Sequence, residues 1–395
     1  MPFDAARFLA DLHALRAIGQ RSTGVVRPAF APAEIEARLW SVERMREAGL
    51  SVSIDPAGNV FGLPEGDGPF LLMGSHTDSQ PEGGWLDGAL GVVAALEAAR
   101  ALPGRVAVVN FQDEEGRFGA LTGSSVWSGA TTLEAADATA DAGGLTFREA
   151  RQAMGEHLGA DFVAPERFKG FVELHIEQGP RLIEAGEALA VVEAIVGAYQ
   201  VSLAFEGEQN HAGTTPMNRR RDAFRGLAAF ATGLDALLAP LVTETTVWTI
   251  GQVSVQPGAP SIVPGRATAS VQWRDVDAER LDAIEAVVRE SAERVAKGHG
   301  LDLVVTPHRA IPPRRFDPGL CEALDAAAEA VAPDRWRRLA SGAMHDAMNV
   351  ARLMPAAMLF VPSIGGVSHS FAEDTDEADL VAGGRAMVEA AERLA

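Results

Sequence analysis

Short apolar runs that lead into imidazoles and carboxylates constrain this chain more than any other feature. The runs are Phe70-Leu71-Leu72-Met73, Val106-Ala107-Val108-Val109, Phe171-Val172 and Ala357-Met358-Leu359-Phe360. Behind them come His76, Glu114 with Glu115, His175 and His369, while Asp87 lies in a glycine-rich turn after the first run. Continuous apolar runs of this length are what strands buried on both faces of a parallel sheet look like. Open α/β sheets bind ligands outside the carboxyl ends of their strands. Several nitrogen and oxygen donors delivered to one rim are most economically read as a metal site, and the chemistry as hydrolysis.

The 395 residues are too many for one ordinary core, so two domains are expected. Residues 4–18 and 32–48 have helical spacing, 51–61 and 70–75 read as strands, and 88–101 as a small-residue helix. A strand at 105–111, a helical connection over 131–168 and strands at 170–176 and 189–196 complete an α/β layer. Near Gly197 the pattern changes to an alternating strand. A helix over 221–238, strands at 245–255 and 266–274, a helix at 277–297 and a strand at 301–307 follow. Strand-helix-strand-strand-helix-strand is the ferredoxin-like order. Helices near 318–331 and 345–352 and a strand at 357–361 return the chain to the first layer. The expected organisation is a catalytic domain of residues 1–196 and 312–395 with an inserted lid of residues 197–311.

Composition narrows the function further. A formal charge of −20 speaks against a nucleic-acid partner and makes local arginines more informative. No apolar stretch reaches the ~18 residues of a membrane span. The N-terminus lacks a basic region followed by an apolar one, and the single Cys321 reads as a core filler. These features predict a cytoplasmic protein with no membrane partner.

The donor residues sit in telling contexts. Gly74-Ser75-His76-Thr77-Asp78 places a carboxylate two residues beyond an imidazole, suited to fixing the ring's second nitrogen; a surface turn is the plain alternative. Asp87 in Trp85-Leu86-Asp87-Gly88 is either a ligand or a helix cap. Asp113-Glu114-Glu115 crowds three acids beside apolar sequence, which is costly unless a cation is near. Adjacent carboxylates can divide the work, one binding metal and one handling protons. His345-Asp346 reads as a helix start rather than as part of a triad with Ser341. His13, His157, His299 and His308 lack such contexts.

On these residues the chain resembles the hydantoinase/carbamoylase family of the peptidase M20 superfamily. The marks are Gly74-Ser75-His76-Thr77-Asp78, Gly83-Gly84-Trp85-Leu86-Asp87-Gly88, Asp113-Glu114-Glu115-Gly116-Arg117-Phe118, His175-Ile176-Glu177-Gln178-Gly179-Pro180, Asn210-His211-Ala212-Gly213 and Phe360-Val361-Pro362-Ser363. The resemblance implies a mixed-sheet α/β catalytic domain of M20 metallopeptidase type with an inserted ferredoxin-like α+β lid and dimerisation domain. It implies His76, Asp87, Glu115, His175 and His369 as ligands of two divalent ions, zinc first, with manganese, cobalt or nickel as alternatives. Glu114 would be the general base that activates the metal-held water. Asp78 would support His76, and His211, from the lid or from a partner's, would polarise the scissile carbonyl. Gln178 and Arg274 would hold a small anionic substrate, and the assembly would be a homodimer through the lid.

The implied reaction is hydrolysis of the C–N bond of an N-carbamoyl amino acid or related linear amide. An M20-type aminoacylase or dipeptidase, or a non-catalytic binding dimer, are the rivals. Two positions depart from the family pattern. Ser261 stands where Asn is usual, and Met344 where Gly is usual, and both changes reshape the expected substrate pocket. Arg220 falls where the family has Arg, between Arg219 and Arg221.

Overall fold

The computed structural model describes residues 2–308 and 310–395, Glu156 by its backbone alone. It divides into two compact units, Met1–Glu193 with Phe316–Ala395, and Ala194–Arg315.

The first unit is built on a mixed sheet. Its middle is parallel: Ala356–Val361, Phe168–Ile176, Phe70–His76 and Val106–Phe111, side by side in that order. Antiparallel strands flank it, Leu189–Ile195 beside Ala356–Val361, and Val60–Leu63 then Ser51–Ile54 beyond Val106–Phe111. Phe70–His76, Val106–Phe111 and Ala356–Val361 are buried along their whole length, which is why they lack polar alternation. Helix Ala89–Ala101 is buried on every side, its alanines and glycine allowing close approach to the sheet. Since the parallel strands share one direction, His76, His175, the 112–116 turn and the 362–369 loop gather at their carboxyl ends.

Three local readings need correction. The single strand expected over 51–61 is two antiparallel strands, because Asp55 accepts the N–H groups of Ala57 and Asn59 and turns the chain. The helical connection over 131–168 is a string of short pieces: Leu133–Asp137 and Phe147–Arg151, capped by Thr132 and Thr146, then 3₁₀ turns. Gly143-Gly144 and Pro165 interrupt any longer helix. Further elements appear, among them strand Trp336–Ser341 and helix Glu377–Leu394. That helix buries Leu380 and Met387, together contributing at most about 3–6 kcal/mol.

The second unit is a four-stranded antiparallel sheet with helices Ala223–Leu238 and Ala278–Gly298. The strands lie in the order Val247–Gln256, Arg266–Asp275, Gly197–Glu206, Asp302–Pro307, which is the ferredoxin-like arrangement of a βαββαβ chain. Leu203, Phe205, Phe230, Trp273 and Ile284 are among its buried core. Among the described residues no helix is long and apolar enough to cross a membrane.

Candidate metal centre

His76 is the last residue of its strand and His175 the penultimate residue of its own, so both rings emerge where the sheet ends. Asp87 faces them from the turn before helix Ala89–Ala101. Its Oδ1 lies 3.4 Å from His76 Nε2 and 3.0 Å from His175 Nε2. Its Oδ2 lies 3.4 Å from His369 Nε2, which in turn is 3.3 Å from Glu115 Oε2. Two donor groups therefore share one carboxylate: His76, Asp87 and His175, and Asp87, Glu115 and His369, with ligand atoms within 4.8 Å in each.

The hydrogen bonds of the rings point the right nitrogens inward. His76 Nδ1 lies 3.1 Å from the Asp78 carbonyl and His175 Nδ1 2.9 Å from the Ile176 carbonyl. Each Nδ1 thus donates and each Nε2 faces the centre with its lone pair, that of His175 also meeting the Gly88 N–H at 3.3 Å. The Asp78 carboxylate, expected to fix His76, also lies near His76 Nδ1, at 3.5 Å. Its oxygens accept the Glu114 and Glu115 N–H groups as well, at 3.3 and 3.1 Å. Asp78 therefore also shapes the turn that carries Glu114 and Glu115. Asp113, in the left-handed region with φ 53°, accepts from Arg117 N–H and the Thr122 hydroxyl and ties the rest of that loop together.

The electrostatics fit a cation. Burial pushes Glu114 well above the usual carboxylate range, and Asp346, Glu115 and Asp87 add to this against the pull of His76. Burial and Asp87 raise Glu115 to about 7. Burial would also raise Asp87, but His175, His369 and His76 draw it well below its ordinary value. His76 Nε2 is buried without a well-aligned hydrogen-bond partner. Crowded acids and an orphaned imidazole nitrogen are what a bound cation relieves.

The comparisons with known proteins agree. Residues 72–393 match the model of Peptidase family M20/M25/M40. The chain belongs to this family. It is 35% identical to an N-carbamoyl-L-amino acid amidohydrolase of Geobacillus stearothermophilus, over 95% of each chain. An allantoate amidohydrolase of Escherichia coli is 33% identical over 91% of this chain and 90% of its own. The crystal structure of an amidase (hydantoinase/carbamoylase family) from Burkholderia phymatum superposes with a TM-score of 0.91 at 39% identity, covering 99% of this chain and 98% of that one. Within the family this chain is of the hydantoinase/carbamoylase type, and its two donor groups are of the imidazole and carboxylate kind that binds divalent metal.

Glu114 stands beside the donors, its Oε2 3.6 Å from His76 Nε2. Gln178, expected to hold substrate, points its amide at the donors, 2.8 Å from Asp87 Oδ2 and 3.3 Å from His369 Nε2. Met344 is half-buried between strand Trp336–Ser341 and helix Asp346–Val350. His345 stands at the start of that helix as expected, without a side-chain capping bond, and Ser341 Oγ lies 3.0 Å from its Nε2. Both residues are buried, and His345 packs on His175 with ring centroids 4.4 Å apart.

His211, Ser261 and Arg274 belong to the Ala194–Arg315 unit. There His211 Nδ1 accepts from Gly213 and Thr214 N–H at 3.0 and 3.1 Å, which puts its proton on Nε2, the form that donates. The Ser261 carbonyl accepts Ala212 N–H at 2.9 Å, and Arg220 braces the same loop through the Thr215 carbonyl at 3.0 Å. Arg274 lies on strand Arg266–Asp275, its Nε 3.4 Å from Gln272 Oε1.

Sequence reasoning missed Glu373, Ser368 and Glu173. Glu173 is buried, accepting the Ser75 hydroxyl at 2.6 Å and Ala347 N–H at 3.1 Å. An acid inside an otherwise apolar strand, Phe171-Val172-Glu173-Leu174, was the available signal.

Proposed function

We propose that this chain hydrolyses the C–N bond of a small N-carbamoyl amino acid or a related linear amide. Two divalent ions, zinc first, would be held by His76, Asp87 and His175 and by Asp87, Glu115 and His369. The observation that carries this reading is the division of the Asp87 carboxylate between two donor groups, with Glu114 left uncommitted beside them. Imidazole and carboxylate donors also suit manganese, cobalt and nickel.

Ions bound here polarise an amide or ureido carbonyl and make water a nucleophile near neutral pH. Glu114 does the proton work. Burial and neighbouring acids raise its affinity for protons, and a carboxylate placed beside the attacking water acts as a general base. It takes a proton from the attacking water as the C–O bond forms and returns one to the nitrogen as the C–N bond breaks. From a ureido substrate the products are the amine and carbamate, which decomposes to carbon dioxide and ammonia. Two divalent ions outweigh the charges of Asp87 and Glu115, so the site favours an anionic substrate.

We further read the protein as a cytoplasmic homodimer. The lone, buried Cys321 supports the compartment. An exposed sheet edge in the second unit, strand Val247–Gln256 with Val247 56% and Val253 53% exposed, supports the assembly. The test is a panel of N-carbamoyl-α-amino acids, N-carbamoyl-β-alanine, allantoate, N-acetyl amino acids and dipeptides offered to the metal-loaded protein. Release of ammonia from a ureido substrate is expected. Cleavage of N-acetyl or peptide bonds with no ammonia from any ureido compound overturns the reading.

A further inference from the structure

Asp87 and His369 sit on chain segments that share no secondary structure, so something must fix one against the other. Glu373 makes that link. It is 1% exposed, and its Oε1 accepts the N–H groups of both Leu86 and Asp87, at 3.2 and 3.1 Å. Its Oε2 accepts the Ser368 hydroxyl at 2.8 Å, next in sequence to His369. Ser368 Oγ also lies 3.3 Å from Asp87 Oδ2, its one proton shared between the two carboxylates, so the same loop meets both the backbone and the side chain of Asp87. From the other side, a Cβ on Gly84 would fall on the Glu373 carboxylate, so the absence of a side chain there makes room for it.

Burying a carboxylate costs several kcal/mol unless its lone pairs are used. A turn with no further duty is held more cheaply by a neutral acceptor or by water. Here both oxygens are spent on residues that carry or adjoin ligands. We propose that Glu373 is a positioning residue of the metal centre: by joining the Asp87 turn to the His369 loop, it holds Asp87 with one oxygen toward each donor group. The inference rests on the metal-site reading above. Position rather than charge is the active property, since Gln in place of Glu keeps an oxygen for both N–H groups.

Chelator-stripped wild type, Glu373→Gln, Glu373→Asp, Gly84→Ala and Ser368→Ala are titrated with Mn²⁺ and Zn²⁺ by calorimetry, alongside thermal unfolding of each. Outer partners of this kind are worth roughly 10–100-fold in metal affinity. Glu373→Asp, which keeps the charge but not the reach, and Gly84→Ala, which displaces the carboxylate, are each expected to weaken binding by that factor. Their kcat falls at limiting metal and recovers with excess ion, while KM holds. Glu373→Gln loses less than about tenfold. Glu373→Asp binding ions as wild type does, or Glu373→Gln weakened as much as Glu373→Asp, overturns the proposal. Should Glu373→Asp and Gly84→Ala not fold, Ser368→Ala decides: weakened binding supports the link and unchanged binding overturns it. Wild type that binds no divalent ion sinks the metal site itself, a separate failure.

Discussion

Replacing Asp78 with Asn separates two roles that one residue can play in such a centre. If Asp78 served only to orient His76, Asn would be nearly silent, because the His76 Nδ1 partner at 3.1 Å is the residue's carbonyl, which the substitution leaves in place. The carboxylate instead holds Glu114 N–H and Glu115 N–H, and at 1% exposure no water replaces it. Burial pushes this carboxyl up, yet His76 and Arg38 hold it below its usual range, so both bonds are to a charged acceptor. A hydrogen bond to a charged group contributes about 1.5–3 kcal/mol, and a buried donor left unpaired costs about 1–3. Asn keeps one oxygen and turns an NH₂ group toward the other N–H, so one bond is lost and one donor faces a donor. The expected destabilisation is roughly 2–4 kcal/mol out of a total on the order of 5–15. The variant should fold, unfold at a lower urea midpoint with unchanged slope, and turn over poorly because the base has lost its seat. Urea unfolding of the metal-free protein, followed by tryptophan fluorescence, measures this directly. An Asn variant with the wild-type midpoint and wild-type kcat refutes the assignment of Asp78 to the Glu114–Glu115 turn.

The other expectations test the centre and the assembly. Glu114→Gln should bind ions as tightly as wild type yet lose about 10²–10⁴-fold in kcat; undiminished hydrolysis removes Glu114 from the base role. A hydrogen bond to the Asp87 carboxylate raises metal-free His369 to about 9, and burial raises Glu115 to about 7. Ligands bind metal unprotonated, so both must shed protons they hold at neutral pH, and affinity should climb as pH rises from 7 toward 9. Calorimetry in buffers of different ionisation heat counts the released protons, and a count of zero contradicts the ligand assignment. Val253→Lys places a charge on the open edge of strand Val247–Gln256 and should shift the protein from dimer to monomer in light scattering. A dimer that survives it uses another surface.

What could be read from sequence followed from how particular a chemical demand each residue meets. That His76, Asp87, Glu115, His175 and His369 would come together was legible because metal binding accepts few residue types, and each stands out beside apolar or glycine-rich sequence. Strands were legible as runs, but not their directions: Val60–Leu63 and Leu189–Ile195 are as apolar as the parallel strands they flank and run the other way. Direction belongs to the pairing, and nothing within a four-residue run records its neighbour. The 131–168 segment misled because helical composition outlives the helix when Thr caps and glycines divide it into five-residue pieces.

The residues that hold the ligands in place left no such trace, for a physical reason. Any acceptor or donor of suitable reach can brace a turn, so no residue type announces the task. Glu373 follows His369 in the loop Ser370-Phe371-Ala372-Glu373-Asp374-Thr375, where an acid reads as solvent-facing; its partners Leu86 and Asp87 lie 287 and 286 residues away. Arg38 makes the same point on the other side of the centre. It sits mid-helix in Pro32–Glu47, where arginine is ordinarily exposed, and is buried instead. Paired with Glu34, it donates to the carbonyls of Gly58 and Asn110 at 3.0 Å each and to that of Phe111. Those last two carbonyls end the strand that delivers Glu114 and Glu115. Removing Arg38 would leave them buried without their partner, so the cost of losing it would be felt three residues away, at Glu114.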